Sequence, residues 1–554
     1  MLFRSLTTNQ IMAIETRDVT GYTTSSLLAL DSIQIGVINT ATIAAMTTQQ
    51  IYALSSDIAG LTTAQIIALT TDQVTNLTTG QFSALTTQQL VGFETRDVAV
   101  ISSTNISLLS SASLAELYTS QIAALTTQQI VALGSSLRGL TTADVTGMST
   151  AQIAAFTTAA FAVLTTDQIV AFSTRQIAAV VSSGIAALSS AQIGSISTLQ
   201  ITGLGTQQIY AIESSDIAGI TTDQMASLST KQIAGFSSQQ VQSLNSLQIA
   251  ALTTAALAAL SSDQVISLGT DLVGLSTAGI VALTTYQVSM LTYDQVLALT
   301  TDQLASIETR DVAVLSLSAI AYGIVSSDLA SFTTQQISAL TTAQIANITS
   351  SVISGITTNQ ISALQTQALQ LGLTTQNIAV LNSSQIAAFS TNQAANLTTS
   401  QITAIGSDIV GFSTADIAAL TTAQVQSGLT STQIGLLTTD QFSGLKTSQL
   451  SALSSLQIAG IETADLVCLG TAQVSAFSLS PLYYGAGQTQ ITSLITSQVA
   501  ALTTAYIDII STAYIAALSS SQISVLTTGQ LSVFDSLQIN AIDSADIEIG
   551  RAHV

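Results

Sequence analysis

Few residues in this chain could carry out chemistry. Cys468 is the single cysteine and His553 the single histidine among 554 residues, and there is no Trp. A nucleophile needs a base within reach and a third group to orient that base. His553 stands one residue from the end, far from any patterned partner. Cys468 closes the stretch Ile461-Glu-Thr-Ala-Asp-Leu-Val-Cys468 at a place where Ala is usual, so the expected role is a small buried filler. A lone cysteine forms no internal disulfide, and no metal-ligand spacing occurs. Ser and Thr are abundant, but no G-x-S-x-G elbow is present, and helix capping accounts for them. Asp57, Asp72, Asp167, Asp223 and Asp263 recur singly. In the first turn of a helix a carboxylate steadies the dipole, whereas Ca²⁺ would need about six to eight clustered oxygens. The expectation is no catalytic, cofactor-binding or metal-binding residue, no cofactor, and no enzyme.

The elements that would have to position any site are repeats. Leu61-Thr-Thr-Ala-Gln-Ile-Ile-Ala is followed by Leu69-Thr-Thr-Asp-Gln-Val-Thr-Asn and Leu77-Thr-Thr-Gly-Gln-Phe-Ser-Ala, and the octad L-T-T-x-Q-I-x-A continues to about residue 548. A fixed short period outranks any other reading of a sequence. It also explains a composition that is 47% hydrophobic and 7% charged. That balance suits neither disorder nor a string of unrelated domains. Apolar runs are far too short for a membrane-spanning helix.

The octad predicts a short helix. Thr at place 2 and Gln at place 5 form a capping box, and the apolar residues at places 1 and 6 have the spacing of a hydrophobic staple. Two turns of helix are unstable alone, so the units must stack into an all-α solenoid with places 1, 6 and 8 inside. The alternative is a β-solenoid, which Thr, Ile and Val favour. It would put places 1 and 6 on opposite faces of one strand.

A longer period overlies the octad. Marked units begin at Ile14, Leu54, Phe93, Leu133, Phe172 and Ile212, so that every fifth unit is marked, and several end in Gly. Either five units complete one superhelical turn, which would stack Arg17, Arg96 and Arg175 in an ion-paired column, or the spacing records duplication alone.

The expected organisation is one solenoid over 6–548, with irregular breaks near 315–325, 364–373 and 478–490. Residues 1–5 and 549–554 match nothing in the repeat. Leu2-Phe-Arg-Ser5 and Ile549-Gly-Arg-Ala-His-Val554 read as translations of a sequencing adapter, so both ends, His553 included, are expected to be non-native. Without their two arginines the net charge of −21 becomes −23. Such a charge disfavours nucleic acid and anionic membrane as partners.

The L-T-T-x-Q-I-x-A-L unit resembles repeats in very large bacterial surface exoproteins, of adhesin or haem-utilisation type. That resemblance implies an extracellular or cell-surface location and a structural stalk or spacer role. Ligand contacts would lie in flanking domains, and the ligand and oligomeric state stay open. The alternative is a repeat surface that itself binds ice, glycan or a crystalline face through ordered Thr and Ser rows. The haem label finds no axial ligand in the repeat.

Overall fold

Thr126 shows how each unit starts. Its backbone is extended (φ −73°, ψ 160°), so its side chain can fold over the first turn of the helix Thr127–Leu133. The Gln129 N–H donates to Thr126 Oγ1 at 3.3 Å, and the Thr126 N–H donates to Gln129 Oε1 at 2.7 Å. Two amide donors that a helix start leaves bare are thereby satisfied. Leu125 and Ile130, the staple pair, are both buried. The same box recurs at Thr47 and Gln50, Ser189 and Gln192, Thr333 and Gln336, and Ser454 and Gln457.

The computed structural model describes residues 3–477 and 487–543. Among the described residues every regular element is a short helix and none is a strand, so the β-solenoid alternative is not supported. The chain groups into two compact units, Met1–Leu275 and Ser276–Val554, each a stack of short helices. The expected breaks at 315–325 and 364–373 are absorbed by the helices Leu317–Tyr322 and Thr366–Gly372. Of the stretch 478–490, residues 478–486 lie outside the described residues, as does the 549–554 end. Phe3–Ser5 forms one 3₁₀ turn.

The glutamine of place 5 has a second task that the capping box conceals. In the first unit Gln129 is buried, and its Nε2 donates to the carbonyls of Val98 and Ile101, both at 2.8 Å. Gln176 does the same to Val145 and Met148, and Gln248 to Ile217 and Ile220. In the second unit Gln344 reaches Val312 and Leu315, and Gln449 reaches Ile417 and Leu420. Each carboxamide thus caps its own helix with its oxygen and fastens that helix to the preceding coil with its nitrogen. The bonds run back 28 and 31 residues in these examples from the first unit, and 29 and 32 in those from the second.

Those offsets fix the coil at about 28 residues, or three and a half octads, and overturn the five-unit turn. The marked unit Ser55–Gly60 packs on Ser32–Gly36 and Thr79–Ala84, not on another marked unit. No column of Arg17, Arg96 and Arg175 forms, because units stacked on one another lie closer in sequence than the interval between marks. The core also differs from expectation at one place. Places 1 and 6 are buried, but the place-8 residues Ala68, Ala84 and Ala132 are only half-buried, and the Gln of place 5 takes the interior position.

Glycines that end a unit mark where coils come closest. A Cβ on Gly147 would stand 2.8 Å from the Thr119 methyl of the coil before. On Gly60, Gly139, Gly219 and Gly274 it would stand closer still, against the backbone carbonyls of Ser32, Ser111, Ser190 and Ser246. Each partner sits at place 3 of its octad, one coil earlier.

Candidate functional site

The side chains singled out by sequence are dispersed. Asp72, Asp167, Asp223 and Asp263 lie exposed in the first turns of separate helices. Asp57 accepts a hydrogen bond from the Ser32 hydroxyl at 3.0 Å. Among the described residues, no three His, Cys, Asp or Glu side chains come close enough together to share a metal ion. Cys468 is exposed rather than buried. The reason is its place: position 8 closes the helix Thr463–Val467, where the chain turns outward before Leu469 re-enters the core.

Where Asp replaces Gln at place 5, the link between coils changes sign. A carboxylate cannot donate to a carbonyl, and its shorter side chain instead accepts a hydroxyl from place 3 of the coil before. Thr119 donates to Asp144 at 2.8 Å and Thr71 to Asp97 at 2.9 Å. Burial pushes the Asp465 carboxyl above the ordinary carboxylate range; the Thr439 hydroxyl pulls it down in part, and Glu462 adds to the rise.

Arg96 links Glu94 (2.8 Å) to Asp97 (3.5 Å), and Arg310 links Glu308 to Asp311 in the same way. Arg17 pairs with Glu15 and Asp18 inside its own unit too. Asp97 is fully buried, and its Oδ2 has no hydrogen-bond partner. Because Arg96 is 62% exposed, solvent screens its attraction. Asp97→Gln restores the donating side chain and removes a buried charge, so unfolding should shift to higher urea by the equivalent of about 1 kcal/mol. A fall in the urea midpoint would count against this account of the ladder.

Hydroxyls at places 2 and 3 face outward, but with three and a half octads to a coil they do not stack in register from one coil to the next, and much of the place-2 set is engaged within the protein. Thr62 and Thr86 each donate to the Oε1 of their own box Gln at 3.0 Å. Sequence reasoning missed the outward aromatic residues: Tyr52, Tyr118, Tyr210, Tyr286, Tyr293 and Tyr322 are all exposed. Tyr293 and Tyr322 meet edge to face, with ring centroids 6.2 Å apart. For all but Tyr322 the place in the octad was the available signal, since places 2, 3, 4 and 7 face out.

Tyr506 is the opposite case. It is buried, and desolvation first, then the Tyr514 phenol, holds its hydroxyl far above the ordinary range. An unfolded tyrosine ionises near pH 10 while the folded phenol does not. The stability this burial contributes is therefore intact below about pH 10 and lost progressively above it. In an alkaline titration followed at 295 nm, Tyr506 should ionise only as the helical circular-dichroism signal collapses. Smooth ionisation of every tyrosine before that collapse would contradict it.

Six stretches match the ALTTAQ repeat family: 55–87, 137–174, 153–182, 209–246, 270–301 and 409–447. Together they span about a third of the chain. No curated protein matches the chain. Among solved structures, the leucine-rich repeat-containing protein LegL7 from Legionella pneumophila is similar at 14% identity, over 41% of this chain and 79% of that one. The TM-score is 0.14, too low to bear on the fold.

Proposed function

We propose that this chain is a non-catalytic structural repeat region, a stalk or spacer, of a large secreted bacterial surface adhesin. The observation that carries the reading is the glutamine ladder. Each coil is fastened to the one before by buried, uncharged hydrogen bonds, whose strength does not depend on salt or on pH near neutrality. Such a fastening suits a chain that must hold its form outside a cell. The ALTTAQ matches support a repeat region, and the resemblance of the octad to surface exoproteins supplies the location. Antibody against this chain should label intact cells of the producing organism, and external protease should remove the label. Label that appears only after permeabilisation would sink the proposal. The second reading, direct binding of ice or a crystalline face by exposed hydroxyls, draws on the outward Thr and Ser of places 2 and 3. It predicts thermal hysteresis or adsorption by the isolated chain.

A further inference from the structure

A cleft of about 570 Å³ opens across three successive coils of the first unit, lined by Thr24, Gln49, Tyr52, Ser55, Ser56 and Gly80 among others. Three departures from the octad meet there. Tyr52 stands at place 7, where the next octads carry Ile67, Thr75 and Ser83. Gly80 stands at place 4, where neighbouring octads carry Ala64, Asp72 and Gln88. A Cβ on Gly80 would meet nothing within 4 Å, so packing does not require glycine there. It lines the same cleft as Tyr52, so a larger side chain there would take up its space.

Ser55 is the third departure. It holds a left-handed backbone, φ +48°, at the start of a 3₁₀ unit. The three equivalent starts are Gly134, Gly269 and Gly406, at φ 50°, 54° and 61°. Glycine takes that conformation freely and serine does not. A strained residue kept where glycine serves elsewhere points to a use for its side chain, and Ser55 lines the cleft.

We infer that this cleft binds a neutral pyranose. Its lining has no charged side chain, which disfavours an ionic ligand. A wholly apolar ligand would leave the hydroxyls of Thr24, Ser55 and Ser56 and the carboxamide of Gln49 without partners. What fits is a molecule with one C–H face to stack on the Tyr52 ring and a rim of hydroxyls to pair with those groups. The volume falls in the range of small-ligand sites. Binding here does not depend on where the chain resides, so the stalk proposal can fail without it, and it without the stalk.

Saturation-transfer NMR on the full chain, with the methyl glycosides of glucose, galactose, mannose and N-acetylglucosamine as probes, tests the site. At least one should bind saturably with a millimolar dissociation constant, on the order of single-ring ligands. Tyr52→Ala should weaken it about tenfold, and Gly80→Leu should abolish it by filling the cleft. Ser55→Gly should weaken binding about threefold while leaving the melting temperature unchanged or higher, because glycine relieves the backbone. Tyr286→Ala, which removes a comparably exposed ring elsewhere, should change nothing. Failure of all four sugars to bind at about 20 mM would overturn the assignment. So would binding that survives both Tyr52→Ala and Gly80→Leu.

Discussion

Gln129→Glu should destabilise the chain by about 4 kcal/mol at neutral pH, the largest effect expected of any single isosteric change. Glutamate preserves the capping box, since its carboxylate still accepts the Thr126 N–H. It loses both donors to the Val98 and Ile101 carbonyls, which lie 2.8 Å away. It also places a negative charge against two carbonyl oxygens in the interior, and each buried acceptor left unpaired costs about 1 to 3 kcal/mol. The introduced carboxyl should titrate above the ordinary carboxylate range, because its protonated form can donate to one carbonyl and its charged form cannot. The folded state then binds the proton more tightly, so the deficit is full at pH 7 and shrinks as pH falls through that raised value. Gln129→Met, which adds no charge but removes the donors together with the acceptor of the Thr126 N–H, should cost about 2 to 3 kcal/mol at either pH. Urea unfolding followed by circular dichroism at pH 7 and pH 4 separates these cases. Equal midpoints for Gln129→Glu and the parent chain at pH 7 would mean the ladder carries no load.

Gly139→Ala should cost about 3 kcal/mol, against a small gain or no change for Gly80→Ala. Overpacking of a filled interior costs about 1 to 3 kcal/mol where neighbours can shift. Around Gly139 the obstacle is the backbone of Ser111, which can retreat only if the two coils part. Parting them would stretch nearby bonds between the coils, such as the one the Thr119 hydroxyl donates to Asp144 at 2.8 Å, because neighbouring contacts share one backbone. Gly80 lies in the helix Thr79–Ala84 with open space around it. There alanine gains up to about 1 kcal/mol of helix propensity. The same substitution, glycine to alanine, thus has opposite expected signs at two sites of one repeat. Thermal midpoints of the two variants decide it, and a Gly139→Ala chain as stable as its parent would show that the coils are not in contact there.

The start of each helix was legible because its causes are local. Thr126 and Gln129 lie three residues apart, and a capping box needs no knowledge of anything beyond. The core at places 1 and 6 was legible for the same reason. The coil size was not, since an octad period says how long a unit is and nothing about how many units close a turn. The marks on every fifth unit suggested five, and the structure has three and a half. One signal for the true figure was present in the sequence. It is the Ser at place 3 that precedes Gly60, Gly139, Gly219 and Gly274 by one coil in each case. The candidate cleft was not legible at all, because Tyr52, Ser55 and Gly80 come together only through the coil spacing.

A coil of about 28 residues holds three and a half octads, so its units are set like the staggered joints of a brick wall. The 3₁₀ segment Ser55–Gly60 rests on ordinary courses above and below, between Ser32–Gly36 and Thr79–Ala84. A block of whole octads could be added or lost and every remaining rung would still find a carbonyl pair beneath it. The wall can change height by the course without being rebuilt.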